Sequence, residues 1–196
     1  MITYGSKPPV FVYGTLMAPE VLEVLIGRVP DMIQPAFIEH YDRWKVRDHV
    51  FPGLTPCSSL VAWTSGKSAH SKIVRGTLLN GLTSSEQDVF DWFEGDEYSL
   101  EDIRVWVPQE IHHTISEDEY LDGKPTTTNS IDTNVWKYEK AKAYIWDNPI
   151  EELELTAWSY EHFREKHLSE YLKYTVIPCR RELDELDIGK VSSTKS

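Results

Sequence analysis

The sequence predicts an α+β domain on a mixed or antiparallel sheet, left open or closed into a barrel. Three observations carry this. β-like runs dominate from Val10–Tyr13 to Val135–Trp146. Two short helical patterns interrupt them, and a longer one comes late. The regular strand–helix–strand alternation of a doubly wound sheet does not occur. A length of 196 residues suits one domain, and 40% apolar with 27% charged residues is ordinary for a globular chain. Such a chain buries a core without disulfides or metals.

The first unit is a strand, a glycine turn and a short helix. Val10–Tyr13 reads as a buried strand that ends at Gly14. Pro19 then opens an apolar helical run that stops at Gly27, the expected asymmetry of proline at the start and glycine past the end. A strand follows over Phe37–Val46, broken by Phe51-Pro52-Gly53. Ser59–Trp63 reads as another strand, Gly66–Ser71 as a polar turn, and Ile73–Leu79 as a strand whose Gly76 marks a bulge or a close backbone approach. Thr83 or Ser84 caps the next helix, with Glu86 and Gln87 in capping-box range. That helix presents Val89, Phe90, Trp92 and Phe93 and stops at Gly95. Ile103–Val107 and Val135–Trp146 are strands separated by a polar, acidic loop over Ser116–Asn134. Glu151–Tyr174 reads as a helix. The domain proper spans 8–147, a helical extension packed on it spans 148–188, and a disordered tail spans 189–196.

The net charge of −12 argues against nucleic acid and anionic membranes, since both need a basic face. No apolar run reaches membrane-spanning length. Met1–Pro9 lacks the pattern of a secretory signal. The two cysteines, Cys57 and Cys179, form no C-x-x-C pair, so neither a disulfide framework nor a zinc site is expected. A cytoplasmic location follows by default, and assembly as a homodimer is left open.

Glu94 occupies an electrostatically bad position, in DWFEGDEY. A helix C-terminus exposes carbonyl oxygens, and Asp91, Asp96 and Glu97 crowd the carboxylate further. Both effects favour the protonated form, and burial by Trp92 and Phe93 would add to them. A carboxyl so placed can serve as a general base. From this segment alone, a solvated acidic turn is the commoner outcome. The second feature is Tyr13-Gly14-Thr15-Leu16, where a glycine after a buried strand can turn backbone N–H groups towards a carboxylate or an oxyanion. Alone, it is equally a turn without a ligand, and it is neither a Rossmann nor a P-loop fingerprint.

The other candidates are weaker. His112 and His113 point to opposite sides of a strand, and His162 and His167 do not share a helix face. Ser58 and Ser59 lack a G-x-S-x-G setting. Cys57 has no evident base. Arg43, Arg47 and Arg104 could meet a substrate carboxylate, though a surface ion pair is the commoner role of any one of them.

In order, VFVYGTL, FPGL, VRGTLLNGLTSSE, VFDWFEGDEY and AYIW resemble the γ-glutamylcyclotransferase-like superfamily, within it the AIG2-like branch of plants and fungi. The resemblance covers roughly residues 8–147. It implies a small mixed β-barrel flanked by short helices. It also implies a substrate site: Tyr13, Gly14, Thr15 and Leu16 bind a γ-glutamyl group through backbone N–H groups, Glu94 is the base, Tyr98 lies near the cavity, and Phe51, Pro52 and Gly53 form its wall. The implied reaction is a cyclising acyl transfer. The α-amino group of a small γ-glutamyl compound attacks its own γ-carbonyl carbon, and 5-oxoproline and an amine leave, with no metal or organic cofactor. A non-catalytic binding or stress-response member of the same fold is the alternative.

The chain departs from the family pattern in three places. Ser99–Asp102 separate the E-x-Y segment from Arg104, the 116–134 stretch is long, and Phe51 stands where tyrosine is usual.

Overall fold

The computed structural model describes residues 7–30, 32–61, 73–109 and 135–186. Five strands close a barrel in the order β1-β5-β2-β6-β7. They are β1 (Val10–Val12), β2 (Met32–Glu39), β5 (Ile73–Asn80), β6 (Tyr98–Pro108) and β7 (Trp136–Trp146). A second sheet, in the order β4-β3-β8, holds β3 (Tyr41–Val46), β4 (Pro52–Pro56) and β8 (Leu153–Ala157). The barrel is mixed because β7 meets β1 in parallel, with Val10 opposite Lys142, while its other pairings are antiparallel. The Lys142 N–H closes the ring by donating to the Pro9 carbonyl oxygen at 2.8 Å.

Period-two alternation builds two apolar layers from the same strands. Phe11, Ala36, Ile38, Val74, Leu78, Val105, Ala143 and Ile145 come from all five barrel strands and meet inside. Val10, Val12, Leu79 and Tyr144 face outward onto the helices. There they meet α1 (Pro19–Ile26) through Val21, Leu22 and Leu25, and α3 (Ser84–Glu94) through Val89 and Phe90. The chain's C-terminal helices finish this layer. They are α4 (Tyr160–Lys166), α5 (Leu168–Tyr171), a π-helical turn over Leu172–Val176, and α6 (Ile177–Glu185). Phe163, Tyr171, Val176 and Leu183 are buried in the same cluster.

Several local expectations hold. Pro19 opens α1, and Gly27 ends it at φ 74°. Thr83 and Glu86 form a reciprocal capping box, and Gly95 ends α3 at φ 63°. Gly76 is a close approach in an unbroken register: a Cβ there would lie 2.3 Å from the Val12 carbonyl oxygen.

Four expectations fail. The single strand expected over 37–46 is two strands, because His40 takes φ 67° and sends the chain from the barrel into the second sheet. Pro52 and Gly53 begin β4 instead of breaking the chain, since proline is tolerated at a strand's first residue. The strand expected over 59–63 is replaced by a short helix, α2 (Cys57–Val61), as far as residue 61. An apolar run that brief does not distinguish the two. The helix expected over 151–174 starts only at Tyr160, because Leu153–Ala157 pairs with β3 and Leu153 is buried. Helical structure then continues past 174 to Glu185. The expectations at 66–71, 112–113, 116–134 and 189–196 lie outside the described residues.

Among the described residues, no helix is long and apolar enough to cross a membrane.

Candidate active site

A cavity of about 360 Å³ opens where the end of β1, the start of β4, the end of α3 and the C-terminal helices meet. It is lined by Tyr13, Gly14, Thr15, Leu16, Phe51, Pro52, Glu94 and Tyr98 among others. These sequence-distant residues share one wall system because the barrel order sets β1 beside β7, and β7 beside β6. Gly53 is not in the lining. It lets β4 pass beneath Leu153 and Trp146, where a Cβ would meet Leu153 Cδ2 at 2.8 Å.

The turn after β1 is held from both sides. The Tyr13 hydroxyl donates to the Tyr144 carbonyl oxygen at 2.6 Å. Arg43 Nη1 donates to the Tyr13 carbonyl oxygen at 2.7 Å and to that of Arg75 at 3.3 Å. Its guanidinium also lies 5.1 Å from the centre of the Trp158 ring. Gly14 presses on Pro52, and a Cβ would sit 2.9 Å from Pro52 Cγ. Residues Thr15–Met17 then make one 3-10 turn, in which the Met17 N–H donates to the Gly14 carbonyl oxygen at 3.0 Å. The amides of Thr15 and Leu16 head this turn and have no acceptor inside it.

Glu94 is the last residue of α3 and is half-buried, open to the cavity. Burial, then the charge of Glu97, pushes its carboxyl up to about 8. The expected crowding by acids is thus narrowed to one neighbour. Asp91 is engaged elsewhere, accepting from the Tyr144 hydroxyl at 2.5 Å. Tyr13, Tyr98, Tyr144 and Tyr171 all line the cavity. Each phenol is pushed up first by burial, and the Glu94 charge adds to the shift in all four. Tyr98 is also fixed in place. Its hydroxyl donates to the Pro52 carbonyl oxygen at 2.9 Å, and its ring stands edge-on to Trp146.

The candidate arginines lie elsewhere. Arg43 braces the turn, Arg47 Nη2 donates to the Glu151 carbonyl oxygen at 2.9 Å, and Arg104 is exposed on β6. Cys57 is buried at the start of α2, outside the lining. His162 and His167 contact each other with ring centres 5.2 Å apart, also outside the lining.

Sequence reasoning missed Tyr144, Tyr171, Thr175, Cys179, His49, Phe93 and Glu97 as lining residues. Tyr144 carried a usable signal, since it alternates with Ala143 and Ile145 and so faces away from the barrel interior. Tyr171, Thr175 and Cys179 carried none, because only tertiary packing brings their helices to this mouth.

Fold and site together define a small closed-barrel protein whose cavity is shared by a half-buried acid and a glycine turn. A family model described as "Gamma-glutamyl cyclotransferase, AIG2-like" matches residues 10–165, and the chain belongs to that family. It is similar to AIG2-like protein D of Arabidopsis thaliana, 28% identical over 181 residues that cover 92% of each chain. It is also similar to AIG2-like protein C of the same plant, 25% identical over 175 residues, covering 89% of this chain and 80% of that one. Among solved structures, a yeast γ-glutamyl cyclotransferase specific to glutathione aligns at TM-score 0.49 and 16% identity, covering 93% of this chain and 96% of that one.

Proposed function

We propose that this protein is a γ-glutamyl cyclotransferase that releases 5-oxoproline from a small γ-glutamyl amine. The observation that carries the reading is Glu94: a carboxyl pushed up to about 8 that shares a cavity with the Tyr13–Leu16 turn. A base poised near neutral pH suits the first step. Glu94 takes a proton from the substrate's α-ammonium group. The freed nitrogen forms a bond to the γ-carbonyl carbon and closes a five-membered ring. The amides of Thr15 and Leu16 receive the developing oxyanion. Attack leaves two hydrogens on the ring nitrogen, which gives up one as a proton to water. The bond from the γ-carbon to the leaving nitrogen then breaks as Glu94 returns its proton to the departing amine, and 5-oxoproline with a neutral ring amide is left. Because nucleophile and electrophile belong to one molecule, holding the chain folded supplies much of the rate.

The test incubates the protein with γ-glutamyl amino acids, γ-glutamyl-ε-lysine and glutathione while 5-oxoproline is measured. Release by wild type that vanishes in a folded Glu94→Gln variant supports the proposal. Undiminished release by that variant overturns the mechanism. Silence of the wild type across the panel favours a non-catalytic binding member of the same fold.

A further inference from the structure

The C-terminal helices give the cavity Tyr171, Thr175 and Cys179, all beyond the residues 10–165 that the family model matches. Tyr171 differs from the other phenols there. The hydroxyls of Tyr13, Tyr98 and Tyr144 already donate to protein acceptors, at 2.6, 2.9 and 2.5 Å. The Tyr171 hydroxyl instead faces Thr15 Oγ1 at 3.4 Å, a long contact in which either atom can be the donor. Its O–H is therefore left to swing to a better acceptor.

The position of that donor is well defined. The Tyr171 residue is only 7% exposed. Its ring is held edge-on by Phe163, at 5.4 Å, and by Phe93, at 6.5 Å. The π-helical turn starts at the next residue, Leu172, and such turns are frequent at functional sites. Burial and the Glu94 charge keep the phenol protonated, so it remains a donor.

A γ-glutamyl compound brings an α-carboxylate into this cavity, and neither Lys nor Arg is among the described lining residues. Hydroxyls, backbone amides and the His49 imidazole are the donors left to meet it. We propose that Tyr171 is a substrate-binding residue whose hydroxyl, together with that of Thr15, donates to the α-carboxylate of the γ-glutamyl substrate. This rests on the cyclotransferase reading. It divides the labour at the turn: the hydroxyls take the carboxylate, and the amides take the oxyanion.

The experiment measures steady-state kinetics of wild type and Tyr171→Phe on a γ-glutamyl amine that wild type turns over. It repeats them on the same compound with its α-carboxylate masked as the primary amide. The expected result is a KM about tenfold higher in Tyr171→Phe, from a lost hydrogen bond to a charged group, with kcat within about twofold. Wild type should prefer the acid to the amide, and Tyr171→Phe should lose most of that preference. If Tyr171→Phe does not fold, Thr15→Val carries the same comparison. An unchanged KM with an unchanged acid-to-amide preference overturns the proposal and leaves the cyclotransferase reading standing. Absence of 5-oxoproline release by wild type overturns that reading, and this proposal with it.

Discussion

Glu97 shares the cavity lining with Glu94, and its charge reinforces burial in pushing the Glu94 carboxyl up to about 8. A general base works only when deprotonated, so kcat/KM should rise with pH and level off above about 8. Replacing Glu97 by Gln removes a like charge and favours the Glu94 carboxylate. The rising limb should then move to lower pH. Rate profiles of wild type and Glu97→Gln between pH 5 and pH 10 (roughly the span around such a pKa) check this. A limb that stays in place, or moves upward, contradicts the assigned coupling.

The same shift sets a cost in stability. Glu94 folded holds its proton up to about 8, against an ordinary value of 4.5. Within that window the native state binds a proton that the unfolded chain has lost. Stability therefore falls as pH rises from the lower value through the upper one. Glu94→Gln removes the charge and hence the penalty. It should be more stable than wild type on the alkaline side of the window, by on the order of a few kcal/mol, and unfold at a higher denaturant concentration there. Near the acid side the two should be almost equal. Urea titrations at both ends measure the difference, and a gap independent of pH argues against a strained native Glu94.

The turn chemistry of this fold was legible in the sequence because it is local. The proline and glycine that bound α1, the Thr83–Glu86 capping box and the stop at Gly95 each depend on a few adjacent residues. Glu94 was legible for the same reason, although its principal cause is burial, which no helix-end argument supplies. What escaped depends on partners far away in the chain. Leu153–Ala157 alternates as a strand should, yet its Glu and Leu residues suit a helix equally, and only β3 decides between them. His40 gives no local sign that the chain changes sheets there. Tyr171 lies inside the stretch that reads as a helix, and its place at the cavity, beside Thr15 on a distant turn, comes from tertiary packing.

Gly76 tests the barrel. Its β5 strand is paired on both sides, with β1 and β2. An added Cβ would meet the Val12 carbonyl oxygen at 2.3 Å and the Phe11 ring at 2.6 Å. The ring and the backbone are both held inside the closed barrel, so neither yields cheaply. Gly76→Ala should destabilise the protein by about 3 kcal/mol. The control is Gly81→Ala, where no atom crowds the added Cβ and the cost comes only from φ 71°. Thermal unfolding of both variants checks the order, and a Gly76→Ala no weaker than Gly81→Ala would mean the strands part more easily than this packing allows.

Arg43 offers a separate test of how the turn is held, because it acts on Tyr13 without lining the cavity. One guanidinium bridges the carbonyl oxygens of Tyr13 and Arg75 while stacking on Trp158. A lysine ammonium keeps the charge but not the flat fork, so it cannot reproduce this set of contacts. Arg43→Lys should lower stability by about 1–2 kcal/mol. It should also loosen the segment that presents the Thr15 and Leu16 amides. Hydrogen exchange at those two amides should then quicken, and kcat should fall several-fold as oxyanion support weakens. Exchange that quickens without loss of rate would separate the turn's rigidity from catalysis. An unchanged exchange rate would show that the Tyr13–Tyr144 hydrogen bond and the Gly14–Pro52 contact hold the turn without Arg43.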